Sequence, residues 1–563
     1  MKVIIVGGVA GGATAAARIR RLDEHAEITV FERSGYISYA NCGLPYYIGD
    51  VITDPEELTL QTPESFFKRF RINMKIHHEV ISIHPERKTV SVKNLENGEI
   101  FEENYDKLIL SPGAKPTQPR LPGVGMDKLF TLRTVEDTFR IKEYINKNHP
   151  KSAVLAGGGF IGLELAENLR ELGMDVTIVQ RPKQLMNPFD PDMASMIHNE
   201  MRKHGIKLVL GYTVEGFKEK DNGVEVLLKD NPSLQADMVV LAIGVTPDTV
   251  LAKEAGLELG INESIVVNDR METSVPDIYA AGDAVQVKHY VTGDDALISL
   301  AGPANKQGRI IADNICGGDS RYLGSQGSSV IKVFDMTAAT TGINETNAKK
   351  SGLDVDTVIL SPMSHAGYYP GGKVMTMKVV FEKETYRLLG AQIIGYEGVD
   401  KRIDVLATAI HAGLNATQLK DLDLAYAPPY SSAKDPVNMA GFMIDNIAKG
   451  TLKQWHLEDM DKISKDKDVV LIDVRTVCEF SRGHIDGFKN IPVDELRERI
   501  SEIEKGKPVY LICQSGLRSY IASRILEGNG YETYNFSGGF RFYDAVVNDR
   551  ALIERAYACG MDY

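Results

Sequence analysis

The sequence predicts a multidomain α/β protein whose first half uses one structural unit twice, and three observations predict it. The first is a short apolar strand, Lys2–Val6. It runs into Gly7-Gly8-Val9-Ala10-Gly11-Gly12, then an Ala-rich helix to about Leu22, then a second strand, Glu27–Phe31. The second is the same order again: Ser152–Ala156, Gly157-Gly158-Gly159-Phe160-Ile161-Gly162, a helix to about Leu172 and the strand Asp175–Val179. The third is a closing strand for each half, Leu108–Leu110 before Ser111-Pro112-Gly113 and Met238–Ala242 before Ile243-Gly244. Strand, glycine turn, helix and parallel strand make the βαβ unit of a Rossmann-like dinucleotide-binding fold, so two units imply two dinucleotides.

Bulk properties narrow the possibilities. A chain of 563 residues exceeds one core; at roughly 100–200 residues per domain, about three to five domains are expected. The net charge of −13 argues against a nucleic-acid partner. The first apolar run, Val3 to Val6, is too short for a secretory signal, and no run approaches the roughly 18 apolar residues of a membrane span. Five cysteines (Cys42, Cys316, Cys478, Cys513, Cys559) show neither a CxxC pair nor metal spacing with histidine. No disulfide scaffold and no metal site are expected, and the expected compartment is the reducing cytoplasm.

In the first turn, Gly7, Gly8, Ala10, Gly11 and Gly12 would let backbone N–H groups approach a pyrophosphate at a helix N-terminus. Val9 departs from G-x-G-x-x-G, standing where the middle glycine belongs. Glu32 ends the second strand, where its carboxylate can accept from ribose hydroxyls, and Arg33 follows it. Far downstream, Thr273-Ser274-Val275-Pro276-Asp277-Ile278-Tyr279-Ala280-Ala281-Gly282-Asp283 resembles the last flavin-binding strand of the two-dinucleotide flavoprotein disulfide reductases. The resemblance implies FAD, with Asp283 at its ribityl and phosphate region and Gly282, Pro112, Gly113 and Gly244 among the cofactor positions.

In the second turn, Gly157, Gly159 and Gly162 complete the pattern. Glu164 follows, which the resemblance places near the contact of nicotinamide and flavin. Gln180-Arg181 stands where a carboxylate would select NAD. Losing the acid removes the repulsion of a 2′-phosphate, and Arg181 can pair with one; NADPH, or both NADPH and NADH, is expected.

An isolated cysteine reads either as a small buried hydrophobe or as a working thiol. Cys42 sits in Tyr36-Ile37-Ser38-Tyr39-Ala40-Asn41-Cys42-Gly43-Leu44-Pro45-Tyr46, which resembles the active-site segment of coenzyme A-disulfide reductases. The resemblance makes Cys42 the redox centre, cycling through a mixed disulfide or a sulfenic acid beside the flavin, where its pKa would be lowered. It also implies a coenzyme A site at Arg18, Arg21, Ser38, Asn41, Gln61, Thr62, Phe66 and Arg69. Asn305 and Arg309, in Gly-Pro-Ala-Asn-Lys-Gln-Gly-Arg, are expected beside ligand or flavin. Residues 325–450 resemble the interface domain of that family. The resemblance implies a homodimer in which Tyr368, Tyr426 and Tyr430 of one subunit meet the substrate of the other. Tyr368 and Tyr426 would act as acids toward the leaving sulfur.

The last part of the chain carries three blocks: Val469–Arg475, Gly483–Pro492, and the strand Pro508–Ile512 ending in Cys513-Gln514-Ser515-Gly516-Leu517-Arg518-Ser519. Together they resemble rhodanese domains. A C-x4-R loop would aim backbone amides at the sulfur, and Arg518 would close the loop onto a helix N-terminus, both stabilising an anionic persulfide. A Cys-Arg phosphatase needs C-x5-R, and position 519 is Ser.

The predicted architecture is therefore an α/β chain with two Rossmann-like domains, an α+β dimerisation domain and a C-terminal rhodanese-like α/β domain. The expected bounds are 1–111 with 244–324 for FAD, 112–243 for NAD(P)H, 325–450 for the dimer and 456–563 for the last domain. The expected activity is FAD-dependent, NAD(P)H-driven reduction of coenzyme A persulfide, polysulfide or coenzyme A disulfide at Cys42, with Cys513 handling sulfane sulfur. Two alternatives stay open: an NAD(P)H oxidase working through a Cys42 sulfenic acid, and a redox- or sulfur-sensing binding protein.

Overall fold

The computed structural model describes residues 1–559, with side chains to Arg555 in the last helix, Gly539–Cys559. The chain divides into two compact units, Met1–Pro182 with Ile206–Gly327, and Lys183–Gly205 with the chain from Ser328 onward.

The first unit holds two five-stranded parallel sheets of matching order. One runs Ile278–Ala280, Lys107–Leu110, Lys2–Val6, Glu27–Phe31, Asn73–Lys75. The other runs Leu129–Thr131, Met238–Leu241, Ser152–Ala156, Asp175–Gln180, Lys207–Leu210. The central strands are continuous apolar runs, buried throughout apart from the first residue of each, because helices cover both faces of such sheets. Each glycine turn is dictated by a close approach. A Cβ on Gly12 would sit 2.0 Å from the carbonyl oxygen of Gly7, and one on Gly162 would sit 2.2 Å from that of Gly157. Gly7 and Gly157 themselves adopt φ of +97° and +119°, which side chains disfavour. Both predicted closing strands pair in parallel with the strand that leads into their turn.

The second unit contains an antiparallel sheet in the order Ser329–Val333, Met336–Gly342, Leu388–Gly395, Thr376–Glu382, Val355–Leu360. The helices Val399–His411 and Pro436–Ala448 follow. A parallel five-stranded sheet comes next, ordered Gln454–Trp455, Thr533–Phe536, Val509–Ile512, Val470–Asp473, Lys489–Asn490. The stretch 450–456, between the expected bounds of the last two domains, thus contributes an edge strand paired with Asn535–Phe536. The reason is the lone tryptophan: Trp455 is buried, with Phe488, Tyr510 and Phe536 around its ring.

The helix Pro191–Lys203 also lies in this unit, although it joins strands Asp175–Gln180 and Lys207–Leu210 of the other. Two buried charge clusters tie it there. His198 Nδ1 and Arg202 both meet Asp549 of the last helix. Just before the helix, Asp190 meets Lys378, which also reaches Asp192 and Glu345. Among the described residues, no helix is long and apolar enough to cross a membrane.

Candidate functional site

The two glycine turns are finished in the same way. Glu32 accepts from the backbone N–H of Gly8 and of Ser34, both at 2.9 Å. At the equivalent place Gln180 Oε1 accepts from Gly158 N–H at 3.1 Å. Acid and amide therefore make one structural bond, and only the charge differs. Arg181, beside Gln180, is exposed. The helices Ala10–Leu22 and Phe160–Glu171 have no side-chain cap and no acid in their first turns. Their leading N–H groups point toward an anion site, so the residues present fit the pyrophosphates of two dinucleotides. Arg33 pairs with Asp248 at 2.9 Å, and the Asp248 N–H donates to the Gly113 carbonyl at 3.0 Å. This ties the Pro112-Gly113 turn to the segment after Gly244.

Cys42 lies in the one-turn helix Asn41–Gly43 that leads into Leu44–Ile48, and it is exposed. Arg133, which no sequence spacing singles out, anchors it. With its amide oriented to satisfy both groups, Asn41 donates to the Arg133 carbonyl and accepts from Arg133 Nη1, each at 3.1 Å. Arg133 Nη2 donates to Asp283 at 2.6 Å and Nε to the Ala114 carbonyl at 3.1 Å. One guanidinium so joins the Cys42 turn to Asp283.

Although Cys42 is exposed, the protein packed around its sulfur partly desolvates the thiol and pushes it above its ordinary value; the Glu164 and Asp283 carboxylates add to this and Arg133 opposes it. The polypeptide alone therefore does not acidify the thiol, contrary to the expected lowering. Burial raises Glu164 to about 7, with Glu167 adding to it. The Tyr46 hydroxyl lies 3.5 Å from Glu164 and is itself pushed up by burial. Above about pH 7 the Glu164 carboxylate is charged and opposes the Cys42 thiolate. Glu164→Gln removes that opposition, so the midpoint of Cys42 alkylation against pH should move down. Iodoacetamide rates measured from pH 6 to 10 check this; an unchanged or higher midpoint contradicts it.

The expected coenzyme A positions separate into two groups. Arg21 and Arg69 are exposed and available. So is Arg309, while Ser38 is half-buried at a positive φ. Arg18 is drawn to Asp313 at 2.8 Å. Asn305 accepts from Thr14 and donates to the Ala301 carbonyl. Gln61 accepts from Ser65 at 3.0 Å. Thr62 caps the helix Pro63–Phe70, and Phe66, 4% exposed, packs in the core against Phe70.

In the second unit the two tyrosine loops meet. The Tyr368 and Tyr426 hydroxyls are 2.7 Å apart, and Tyr368 is 76% exposed. Tyr430 is exposed as well. Buried Arg402 holds the loops together: it donates to the carbonyls of Ser364 and Tyr430 and to the Asp435 carboxylate. Sequence reasoning missed Arg402, which lies in mid-helix with no motif around it.

Cys513 ends the strand Val509–Ile512 and is buried. Its Sγ accepts from Gly516 N–H at 3.1 Å and from the Ser519 hydroxyl at 3.2 Å. Arg518 lies in the first turn of the helix Leu517–Glu527 that follows the loop. Both of its terminal nitrogens donate to Glu479, each at 2.7 Å, because a bidentate carboxylate outcompetes a thiol. Cys478 is exposed and Cys316 half-buried; the side chain of Cys559 lies outside the described residues.

Comparison with known proteins agrees with this layout. Residues 1–308 match the family described as pyridine nucleotide-disulphide oxidoreductase, 328–436 its dimerisation domain, and 456–545 the rhodanese-like domain. A coenzyme A disulfide reductase of Staphylococcus aureus is 39% identical over 443 residues, 78% of this chain and 99% of the relative. The reduced CoADR-RHD of Bacillus anthracis superposes with a TM-score of 0.95 at 49% identity, covering 98% of both chains. An NAD-dependent persulfide reductase of A. fulgidus superposes with a TM-score of 0.90 at 38% identity, covering 96% of this chain and all of the other.

Proposed function

The chain belongs to the pyridine nucleotide-disulphide oxidoreductase family, and from that premise we propose that it is an NAD(P)H-dependent flavoprotein reductase of coenzyme A-borne sulfur. Its substrates in this reading are coenzyme A persulfide, polysulfide or coenzyme A disulfide. The observation that carries the reading is Cys42: a single exposed cysteine in a turn tied through Asn41 and Arg133 to Asp283. Bound FAD supplies two-electron transfer from NADPH or NADH to oxidised Cys42. Gly7 to Gly12 with Glu32, and Gly157 to Gly162 with Gln180 and Arg181, hold the two dinucleotides. The Cys42 thiolate attacks a substrate sulfur, and the substrate S–S bond breaks as the Cys42 mixed disulfide forms. Arg21, Arg69 and Arg309 meet the coenzyme A phosphates.

We assign the dimerisation domain to a homodimer. The Tyr368–Tyr426 pair of one subunit then faces the substrate sulfur of the other and donates a proton to the leaving thiolate. Cys513 carries sulfane sulfur as a persulfide. The domain bounds 1–111 with 244–324, 112–243, 325–450 and 456–563, and a reducing cytoplasmic setting, belong to the same reading.

Mass spectrometry of the intact protein tests it. Incubation with coenzyme A disulfide should add one coenzyme A to Cys42, and NADPH or NADH should remove it. A sulfenic or sulfinic acid on Cys42, with no thiol adduct under either condition, overturns the reading in favour of the oxidase.

A further inference from the structure

The loop that carries Cys513 brings one cation of its own to the sulfur, and the fold has cancelled it. Between Cys513 and Ser519 the residues are Gln514, Ser515, Gly516, Leu517 and Arg518. The Arg518 guanidinium is matched nitrogen for oxygen by Glu479, at 2.7 Å each. Glu479 is itself held in place. It is the third residue of the helix Val477–Arg482, and its carboxylate also accepts from the backbone N–H and hydroxyl of Thr476, both at 2.9 Å, in a capping box. The Arg518 contact drives the Glu479 carboxyl down to about 2, so the pair stays ionised at any working pH. Arg518 still senses the sulfur, since Cys513 contributes to its raised pKa. Two exposed apolar side chains flank the pair in sequence, Leu517 at 65% and Val477 at 63%. Another buried arginine of this domain, Arg475, is likewise consumed, by Asp473 and the Phe540 ring.

We propose that Glu479 determines which sulfur donor Cys513 accepts, admitting a sulfane sulfur borne on an organic thiol and rejecting a doubly anionic donor such as thiosulfate. The inference rests on the sulfur-carrier reading of this domain and names its substrate class. With the persulfide of an organic thiol, the Cys513 thiolate attacks the outer sulfur and the S–S bond breaks. The organic thiolate leaves, takes up the proton and departs as thiol, and Cys513 keeps the sulfur as an anionic persulfide. No external oxidant or reductant is needed. With thiosulfate the leaving group is sulfite, and two negative charges must approach a thiolate. That approach needs an uncompensated cation at the loop. Glu479 withholds it. Ser519 completes the cradle: its single hydroxyl proton is within reach of both the Cys513 sulfur and the Gly516 carbonyl, so it can turn to the sulfur when that carries charge.

The test uses the full-length flavoprotein and variants Glu479→Gln and Glu479→Gln/Arg518→Gln. Glutamine keeps the third-position capping bond, so the helix start survives. Sulfur loading of Cys513 is followed by peptide mass spectrometry with glutathione persulfide and with thiosulfate as donors. The ratio of thiosulfate to persulfide rates should be low in the parent chain and rise at least about tenfold in Glu479→Gln, the effect of unmasking one charge near a dianion. It should fall back in the double variant, which lacks the cation. A ratio unchanged in Glu479→Gln, or one that stays high in the double variant, overturns the proposal. A parent chain that loads from neither donor instead removes the sulfur-carrier reading, a distinct outcome.

Discussion

Cys42→Ser should abolish disulfide and persulfide reduction while leaving the nicotinamide half of the cycle running. The argument is chemical. Oxygen in place of sulfur cannot form the mixed disulfide, and no described cysteine is a reserve nucleophile at that turn. Cys316 is half-buried and raised by burial, while Cys478 and Cys513 belong to the second unit. Loss of a lone nucleophile removes about a thousandfold or more of turnover, because the residues around it act as a unit with it. The turn itself should persist. Its anchors are Asn41, Arg133 and Asp283, none of which touches the sulfur in its hydrogen bonds. Stopped-flow absorbance should therefore show the flavin bleaching on NADPH or NADH addition at close to the parent rate, followed by no reoxidation with coenzyme A disulfide. If the variant still turns over coenzyme A disulfide within about tenfold of the parent, Cys42 is not the redox centre.

What could be foreseen from residues alone follows a physical rule. The glycine turns were legible because the constraint is local. A Cβ on Gly12 or Gly162 would come within 2.0 or 2.2 Å of a backbone oxygen, so no other residue fits, and the pattern shows in consecutive letters. The paired strands were legible because parallel sheets buried on both faces need unbroken apolar runs. Arg133 was not legible, since its partners Asn41 and Asp283 are 92 and 150 positions away and its role is a side-chain geometry that no spacing encodes. Arg518 was read from its motif as closing the Cys513 loop onto a helix N-terminus. The motif places the residue, but competition between a thiol and the Glu479 carboxylate decides where its charge goes. Helix Pro191–Lys203 shows the same limit at the scale of an element. Its sequence sits between strands of a dinucleotide-binding sheet, yet buried ion pairs with Lys378 and Asp549 group it with the second unit.

Lys378→Met should lower the stability of the second unit by about 3–5 kcal/mol, the usual cost of removing one partner from a buried ionic cluster. Lys378 is 1% exposed, and its ammonium meets Asp190 at 3.1 Å, Asp192 at 2.8 Å and Glu345 at 2.7 Å. Methionine fills the volume but strands the carboxylates. Asp190 keeps its bonds from Gln392 and Thr346, which soften the loss without replacing the charge. The pH dependence identifies the cause. In the parent chain Lys378 holds Asp190 and Glu345 below their ordinary carboxylate values despite burial. Groups depressed in this way stabilise the fold above their unfolded pKa, near 4, and lose that contribution as pH falls through the lower folded value. Without Lys378, burial is opposed only by the Thr346 and Gln392 bonds at Asp190 and by Lys349 at Glu345, and their folded pKa rises. The variant should then gain stability as pH falls from 7 toward 5, where the parent is flat or declining. Urea unfolding of both proteins at pH 7 and pH 5, followed by Trp455 fluorescence in the second unit, reads the two slopes. Parallel slopes, or a loss under about 1 kcal/mol at pH 7, would show that the cluster is not what holds the helix Pro191–Lys203 and the antiparallel sheet together.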